Sequence, residues 1–478
     1  MTGASAGSPS LGELLDGEPA DVVAYLHGRA TTRDALRATA DDLAGQLLEH
    51  DLGGQLIGVL APNTPDAIAS WFAVWRAGGA FVPLNPRVPV GERERLIAST
   101  GAAAVIEAAP GGPATVRRVA GATGGAAGAG VAIVQFTSGT TGRPKAVPLR
   151  HDTVLALLDG VIGSLRGSRA DDGDQAKRAP MPNLVPVSLS LWAGIYQVLF
   201  AFRIGAPVVL MEKFEPAEFA RLVGEHGIRS SVLPPAAMVM LTRDERVTSL
   251  APLRYVRSVS APLSPTHARA FHDRFGVAIL NGYGQTELGG EVVGWTAADW
   301  REFGAAKLGA VGRPHAGVEV RVRDDELQVR SRNAAPPDAD SLGDRVTDDG
   351  WLRTGDLAHV DDDGFVWIEG RVSAMVNRGG LKVFPDEVEE QLREHPTVAD
   401  AAVAGVPDDR LGEVPRAFVV LEPGAELDDG ALREWCRARL AAYKVPVGIT
   451  VLDMLPRNEI GKLLRQDLVP LADPEGGA

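Results

Sequence analysis

Nine consecutive residues, Thr137-Ser138-Gly139-Thr140-Thr141-Gly142-Arg143-Pro144-Lys145, carry four hydroxyls, two glycines and a lysine. That combination suits the wrapping of a polyphosphate. Glycine lets backbone amides come close to anionic oxygens, hydroxyls donate hydrogen bonds, and the lysine adds charge. The spacing is not that of a Walker loop, G-x-x-x-x-G-K-[ST], because two residues separate Gly139 from Gly142 and Ala146 follows the lysine. The β-rich run Val131-Ala132-Ile133-Val134-Gln135-Phe136 precedes it, so a strand delivers the loop. The plain alternative is a polar connection between a strand and a turn.

Other chemistry-bearing runs follow. Asn281-Gly282-Tyr283-Gly284-Gln285-Thr286-Glu287 comes after the apolar stretch Val277 to Leu280, ~140 residues beyond the phosphate loop. Trp351-Leu352-Arg353-Thr354-Gly355-Asp356 ends in a carboxylate with two acceptor oxygens, and Gly370-Arg371 lies shortly after it. Leu455-Pro456-Arg457-Asn458-Glu459-Ile460-Gly461-Lys462 ends in a lysine. T-S-G-T-T-G-x-P-K resembles the signature of the adenylate-forming superfamily: acyl- and aryl-CoA ligases, nonribosomal adenylation domains and beetle luciferases. The later runs resemble its Y-G-x-T-E, T-G-D and P-x-x-x-x-G-K motifs, in the same order, over about residues 35 to 465. The chain looks most like the acyl-CoA ligases.

The resemblance implies an enzyme that converts a small carboxylic acid and ATP to acyl-AMP and pyrophosphate, then hands the acyl group to coenzyme A. It implies that Thr137, Ser138, Gly139, Thr140, Thr141, Gly142 and Lys145 hold the phosphates. Asn281, Gly282, Tyr283, Gly284 and Gln285 would meet the nucleotide, with Tyr283 offering a flat face to adenine. Thr286 would reach the α-phosphate, and Glu287 would be a hard oxygen ligand for Mg²⁺. Ala261 and Pro262, in Ser260-Ala261-Pro262-Leu263, resemble the segment lining the adenine pocket, although Ser260 stands where glycine is commoner. Asp356 would accept both ribose hydroxyls, and Arg371 would contact ribose and phosphate. Lys462 is the expected catalytic lysine. Carboxylate attack on the α-phosphorus builds charge on phosphate oxygens, and losing a positioned ammonium there costs ~10²–10³ in rate.

The run Asn377-Arg378-Gly379-Gly380-Leu381-Lys382 resembles the loop that meets the pantetheine arm, which makes Arg378, Gly379 and Gly380 a candidate thiol channel. A tight β-turn leading to a helix capped near Asp386 is the other reading, and the two are compatible. By the same resemblance, residues 1–370 form an N-terminal adenylation domain for ATP and acid. Residues 371–373 form a hinge, and 374–478 a mobile C-terminal domain carrying Lys462. Three departures stand out. The hinge position holds Ser373 where the family has Asp or Lys. Pro186-Val187-Ser188-Leu189-Ser190-Leu191-Trp192 lacks the pocket histidine of many acyl-CoA ligases, leaving Ser188 and Trp192 as acid-pocket candidates, with a core tryptophan as the alternative. Arg330 to Asp349 lacks the usual glycine-tyrosine segment.

The elements that must position these residues read as α/β, with mainly parallel sheets in a large multi-part N-terminal region. Leu36, Ala40, Leu43 and Leu47 recur at helical spacing; Leu56–Leu60 is strand-like; Pro65 to Ala77 is helical; Phe81–Leu84 is the next strand. The pattern resumes at Val208–Leu210, Ser231–Leu233 and Val277–Leu280. Gly121 to Gly130, rich in Gly and Ala, is expected to be a flexible connector. After about residue 305, alternating runs such as Val318–Val322 and Glu326–Val329 predict a β-rich subdomain. A small α+β unit with helices near Pro385–Glu394 and Asp429–Leu440 closes the chain.

At 478 residues the chain exceeds the size of a single core. A net charge of −14 argues against a nucleic-acid surface. The single cysteine, Cys436, permits no internal disulfide and reads as a small buried hydrophobe. No apolar run approaches the ~20 residues of a membrane span, and Met1 to Ser10 lacks the features of a secretory leader, so a cytoplasmic protein is expected. Asp361-Asp362-Asp363-Gly364 reads as a turn rather than a metal site. Two alternatives stay open. One is an adenylating enzyme with another acceptor: a carrier-protein phosphopantetheine acting in trans, an amine or another nitrogen nucleophile. The other is a non-catalytic nucleotide-binding homologue.

Overall fold

The computed structural model describes residues 9–60, 62–108, 113–121, 124–137, 145–167, 180–259, 261–285, 288, 290–331, 345–457 and 463–472. Its backbone contacts divide into two compact units, residues 1–232 with 246–253, and residues 233–245 with 254–478.

The first unit is built on a sheet whose strands run in the order Thr115–Arg118, Ala104–Glu107, Leu56–Leu60, Ala80–Leu84, Val131–Thr137 and Lys145–Arg150. Its four inner strands are parallel and its two outer pairings antiparallel. The inner strands are short apolar runs, as a sheet covered on both faces requires. The helix Pro65–Arg76 starts where the Thr64 hydroxyl accepts from the Ala67 amide and Pro65 sets the first helical φ. Ala67 to Trp75 is buried on every side of that helix. Trp71 stacks on Phe81 at 5.5 Å between ring centroids. Truncating such an aromatic to alanine costs about 3–5 kcal/mol.

The strands Val131–Thr137 and Lys145–Arg150 form an antiparallel pair in which Thr137 is paired to Lys145. The side chains of those two residues, and all of residues 138–144, lie outside the described residues. The expected flexible connector is corrected by hydrogen bonds. Leu56 N donates to Gly125 O (3.0 Å) and Ala127 N to Gly54 O (2.9 Å), so this described stretch is tied to the sheet. Small residues need no side-chain packing when the backbone itself is bonded.

In the second unit, Tyr255–Ser258, Ala278–Gln285, Gly290–Gly294 and Arg313–Pro314 lie side by side, the first pair parallel and the others antiparallel. The expected β-rich stretch is an antiparallel meander of Val318–Arg323, Glu326–Ser331, Leu352–Val360 and Val366–Arg371. The α+β region at the end of the chain packs the helices Pro385–Arg393 and Asp429–Arg437 on a sheet containing Val398–Asp408 and Gly412–Leu421. Cys436 is fully buried there, and burial pushes its thiol up to about 11. The helix begins one residue before the expected cap. Phe384 holds the N-cap position without a side-chain bond, and Asp386 sits in the first turn. No helix among the described residues is long and apolar enough to cross a membrane.

Candidate active site

Of the predicted site residues that the structure describes, Tyr283, Gln285 and Arg371 gather in a polar cluster centred on Asp356, which is 2% exposed. Two neighbours hold its backbone. Thr354 Oγ1 donates to Leu327 O (2.7 Å) and accepts from Asp356 N (3.1 Å). The intervening Gly355 has φ 74°, a left-handed conformation that favours glycine, and its amide donates to Glu326 Oε1 at 2.8 Å. The T-G-D spelling thus has a local cause: a hydroxyl tie, a left-handed bend, then a carboxylate turned into the cluster.

Three groups converge on that carboxylate. Tyr283 Oη donates to Oδ2 at 2.6 Å, Gln285 Nε2 donates to Oδ2 at 2.7 Å, and Arg371 Nε lies 2.8 Å from Oδ1. Arg371 is the cross-strand partner of Asp356, so the meander itself creates this ion pair. Burial, and then the Asp356 charge, push the Tyr283 hydroxyl well above the ordinary phenol range. Tyr283 is therefore a neutral donor at any physiological pH.

The sequence reading missed a further participant. Arg345 Nη2 donates to Gln285 Oε1 at 3.0 Å and to Thr354 O at 3.3 Å. With Arg345 on the amide oxygen, the Gln285 nitrogen is the end that faces Asp356. Arg345 lies inside the Arg330–Asp349 stretch that departs from the family pattern. Its signal was only a lone arginine six residues before Trp351.

The remaining candidates fall as follows. Asn281 is buried, its Nδ2 3.4 Å from Ala310 O and its Oδ1 accepting from Gly282 N (3.1 Å). Ala261 is half-buried and Pro262 exposed, between Tyr255–Ser258 and the helix Pro265–Phe275. Gly284 is exposed, and its α-carbon passes so close to Gly290 O that no side chain fits. Ser373 is exposed on the short turn Val372–Ala374. Arg378 Nη1 donates to Tyr443 O at 2.6 Å. Gly379 and Gly380 make the two-residue turn of a hairpin with φ 60° and 92°, which is the β-turn reading of that loop.

In the first unit, Ser188 Oγ lies 2.7 Å from Ser190 Oγ, and Trp192 is half-buried beside Tyr196. Asn63, another residue missed from sequence, fastens that segment. Its side chain bonds Val187 O (2.7 Å), Met211 O (2.9 Å) and Leu189 N (2.7 Å). Ser138, Gly139, Thr140, Thr141, Gly142, Ser260, Thr286, Glu287 and Lys462 lie outside the described residues. The Asp361–Gly364 run is a turn: Asp361 accepts from Asp363 N and Phe365 N (both 3.0 Å) and from Lys307 Nζ (2.8 Å).

Chemically, the cluster presents one buried carboxylate with three of its roughly four acceptor positions engaged, beside an aromatic ring and a half-exposed arginine. The arrangement leaves one acceptor position of a buried carboxylate for a hydroxyl donor, beside a flat aromatic ring.

Comparison with known proteins gives the family. The family model described as AMP-binding enzyme matches residues 15–335, and that of the AMP-binding enzyme C-terminal domain matches 387–462. A 4-coumarate–CoA ligase-like protein of Oryza sativa subsp. japonica is 30% identical over 489 residues, covering 96% of this chain and 88% of that one. A feruloyl-CoA synthase of an Amycolatopsis species is 30% identical, covering 87% of this chain and 88% of its own. Among solved structures, the amide bond synthetase McbA from Marinactinospora thermotolerans superposes with a TM-score of 0.79 at 27% identity, over 96% of this chain and 99% of that one. The chain belongs to the AMP-binding enzyme family.

Proposed function

We propose that this protein is an AMP-forming acid–thiol ligase that activates a small carboxylic acid as acyl-AMP and transfers the acyl group to coenzyme A. The observation that carries the reading is the buried Asp356 carboxylate with Tyr283, Gln285 and Arg371 gathered on it. Asp356 is the group we assign to the ribose hydroxyls, with the Tyr283 ring against adenine. Ala261, Pro262, Asn281, Gly282 and Gly284 complete the nucleotide side. The 137–145 run is assigned to the phosphates, Thr286 to the α-phosphate, and Glu287 to the Mg²⁺ that accompanies ATP. Lys462 offsets the charge that builds as the carboxylate attacks phosphorus. Residues 1–370 are read as the adenylation domain. Residues 371–373, with Ser373, are read as the pivot through which 374–478 brings Arg378, Gly379 and Gly380 to the thiol.

The test is acid-dependent exchange of labelled pyrophosphate into ATP, followed by AMP release with and without coenzyme A. Exchange that drops ~10²–10³-fold in Lys462→Ala, and AMP release that coenzyme A accelerates, support the reading. Exchange untouched by Lys462→Ala would overturn the assignment of that lysine.

The likeness to McbA over nearly its whole length favours a second reading on one point, the acceptor. With a nitrogen nucleophile the adenylation half is unchanged and an amide replaces the thioester. Replacing coenzyme A by a panel of amines in the AMP-release assay decides between them.

A further inference from the structure

The strand pair that carries Tyr283 and Gln285 also carries a cluster that the nucleotide side does not use. Glu291 lies opposite Gly284 in this ladder, and Gly284 is two positions before Thr286 in the sequence. Its side chain is 22% exposed, and its carboxylate receives Arg257 Nη1 and His315 Nε2 (2.9 Å). Arg257 comes from the adjacent strand Tyr255–Ser258, and His315 follows the strand Arg313–Pro314. Room for this carboxylate is made by two glycines facing each other across the ladder, Gly282 and Gly294. A Cβ on Gly282 would stand 2.5 Å from Glu291 Oε2, and one on Gly294 would collide with Oε1.

The hydrogen bonds are lopsided. Among the described residues, both donors fall on Oε1, while Oε2 faces the bare α-carbon of Gly282. Burial alone would raise the pKa of Glu291, but Arg257 and His315 outweigh it and hold the carboxyl below the usual range. Oε2 is therefore an anionic acceptor on a side chain that is 22% exposed, and such an oxygen is best satisfied by a donor. Arg257 and His315 remain about one-third open.

We propose that Glu291, oriented by Arg257 and His315, is the specificity-determining residue for the acid. It selects carboxylic acids that carry a hydrogen-bond donor, a hydroxyl or a ring N–H, at the end remote from the reacting carboxyl. The proposal rests on the adenylation reading: an acid whose carboxyl meets the phosphorus near Thr286 extends its tail along this ladder. Glu291 takes no part in bond making. It accepts the donor that distinguishes one acid from another.

The experiment uses the full chain and pyrophosphate exchange with matched acids: 4-hydroxycinnamate against cinnamate, 4-hydroxybenzoate against benzoate, and indole-5-carboxylate against 1-methylindole-5-carboxylate. A bond to a charged acceptor predicts that kcat/KM favours the donor-bearing acid about 10- to 100-fold in at least one pair. In Glu291→Gln, Arg257 and His315 keep the amide oxygen in the place of Oε1. The amide nitrogen, a donor, then replaces Oε2, and the preference collapses to about twofold or less. Gly282→Ala, which crowds Oε2 from the opposite strand, produces the same collapse and reports even where Glu291→Gln folds poorly. Equal kcat/KM within every pair in the unaltered protein, or a preference that survives both substitutions, overturns the proposal. Exchange with no acid at all would remove the adenylation reading, and this inference with it.

Discussion

Arg465 and Glu389 form a buried ion pair, and Arg465 Nη1 also donates to Val403 O at 2.8 Å. Glu389 is 3% exposed and further accepts from Val403 N (2.8 Å) and Arg393 Nη2 (3.1 Å). Arg393 reaches on to Asp400, which Arg457 meets at 2.7 Å. Arg457 and Leu463 are paired across a β-bridge, so both stems flanking the segment that contains Lys462 are fastened to one helix, Pro385–Arg393.

Removing Arg465 leaves the buried Glu389 carboxylate with Arg393 as its remaining cationic partner among the described residues. Arg465→Met should destabilise the protein by about 3–5 kcal/mol in denaturant titration. Arg465→Lys keeps the charge but loses the two-pronged geometry, and should fall between that variant and the unaltered protein. Equal stability of all three would show that Arg393 alone satisfies Glu389.

Asp356 gives a prediction about nucleotide chemistry. If its carboxylate takes the ribose hydroxyls, ATP should bind about tenfold or more tightly than 2′,3′-dideoxy-ATP, the margin of a charge-assisted hydrogen bond. In Asp356→Ala that margin should vanish, with both nucleotides binding weakly and alike. Calorimetric titration of the two ligands against the two proteins measures all four affinities. An unchanged margin in the variant would remove Asp356 from the ribose.

Asp361 supplies the pH prediction. Burial opposes its ionisation, but Lys307, the Trp367 indole N–H (2.8 Å) and the Phe365 amide outweigh that and lower its pKa to about 2. A carboxyl depressed in the folded state stabilises above its unfolded pKa, and that contribution disappears as pH falls through the folded pKa. The window here runs from about pH 4 down to about pH 2. The side chain is 21% exposed, so the contribution near neutrality is on the order of 2 kcal/mol. Asp361→Asn should lose that stability at pH 7 and show a flatter decline between pH 4 and pH 2.

The arrangement around Asp356 was legible because a short linear pattern has a local cause: Thr354 ties, Gly355 bends, and Asp356 is delivered. Leu56–Leu60 and Val208–Leu210 were equally legible, since apolar runs bounded by turn residues have few other uses, and the structure gives them those bounds. What escaped were long-range partners. Asn63 meets a carbonyl 148 positions away, and Arg345 fixes the Gln285 amide across 60 positions. Nothing adjacent to either residue advertises such a bond. Within the Gly121–Gly130 stretch, the described residues 124–130 were misread for the opposite reason. Composition reported the lack of side chains to pack, whereas the order there comes from backbone bonds to Gly54 and Leu56, which composition does not encode.

Glu390 carries the last prediction. From the helix Pro385–Arg393 its Oε1 accepts from Thr266 N (2.8 Å) and Thr266 Oγ1 (2.7 Å), and its Oε2 from Ser264 Oγ (2.7 Å). These donors sit at the start of the helix Pro265–Phe275, whose first turn has backbone amides to spare. One carboxylate thus joins two helices that lie on opposite sides of residues 371–373 in the chain. Charge-assisted bonds of this kind are each worth about 1.5–3 kcal/mol, so losing them should raise the frequency of local opening about tenfold or more. In Glu390→Ala, limited proteolysis in the exposed Arg371–Ser373 segment should accelerate by that factor, whereas Glu390→Gln, which keeps an acceptor, should lie between. A cleavage rate equal in all three proteins would mean that opening there does not require these bonds to break.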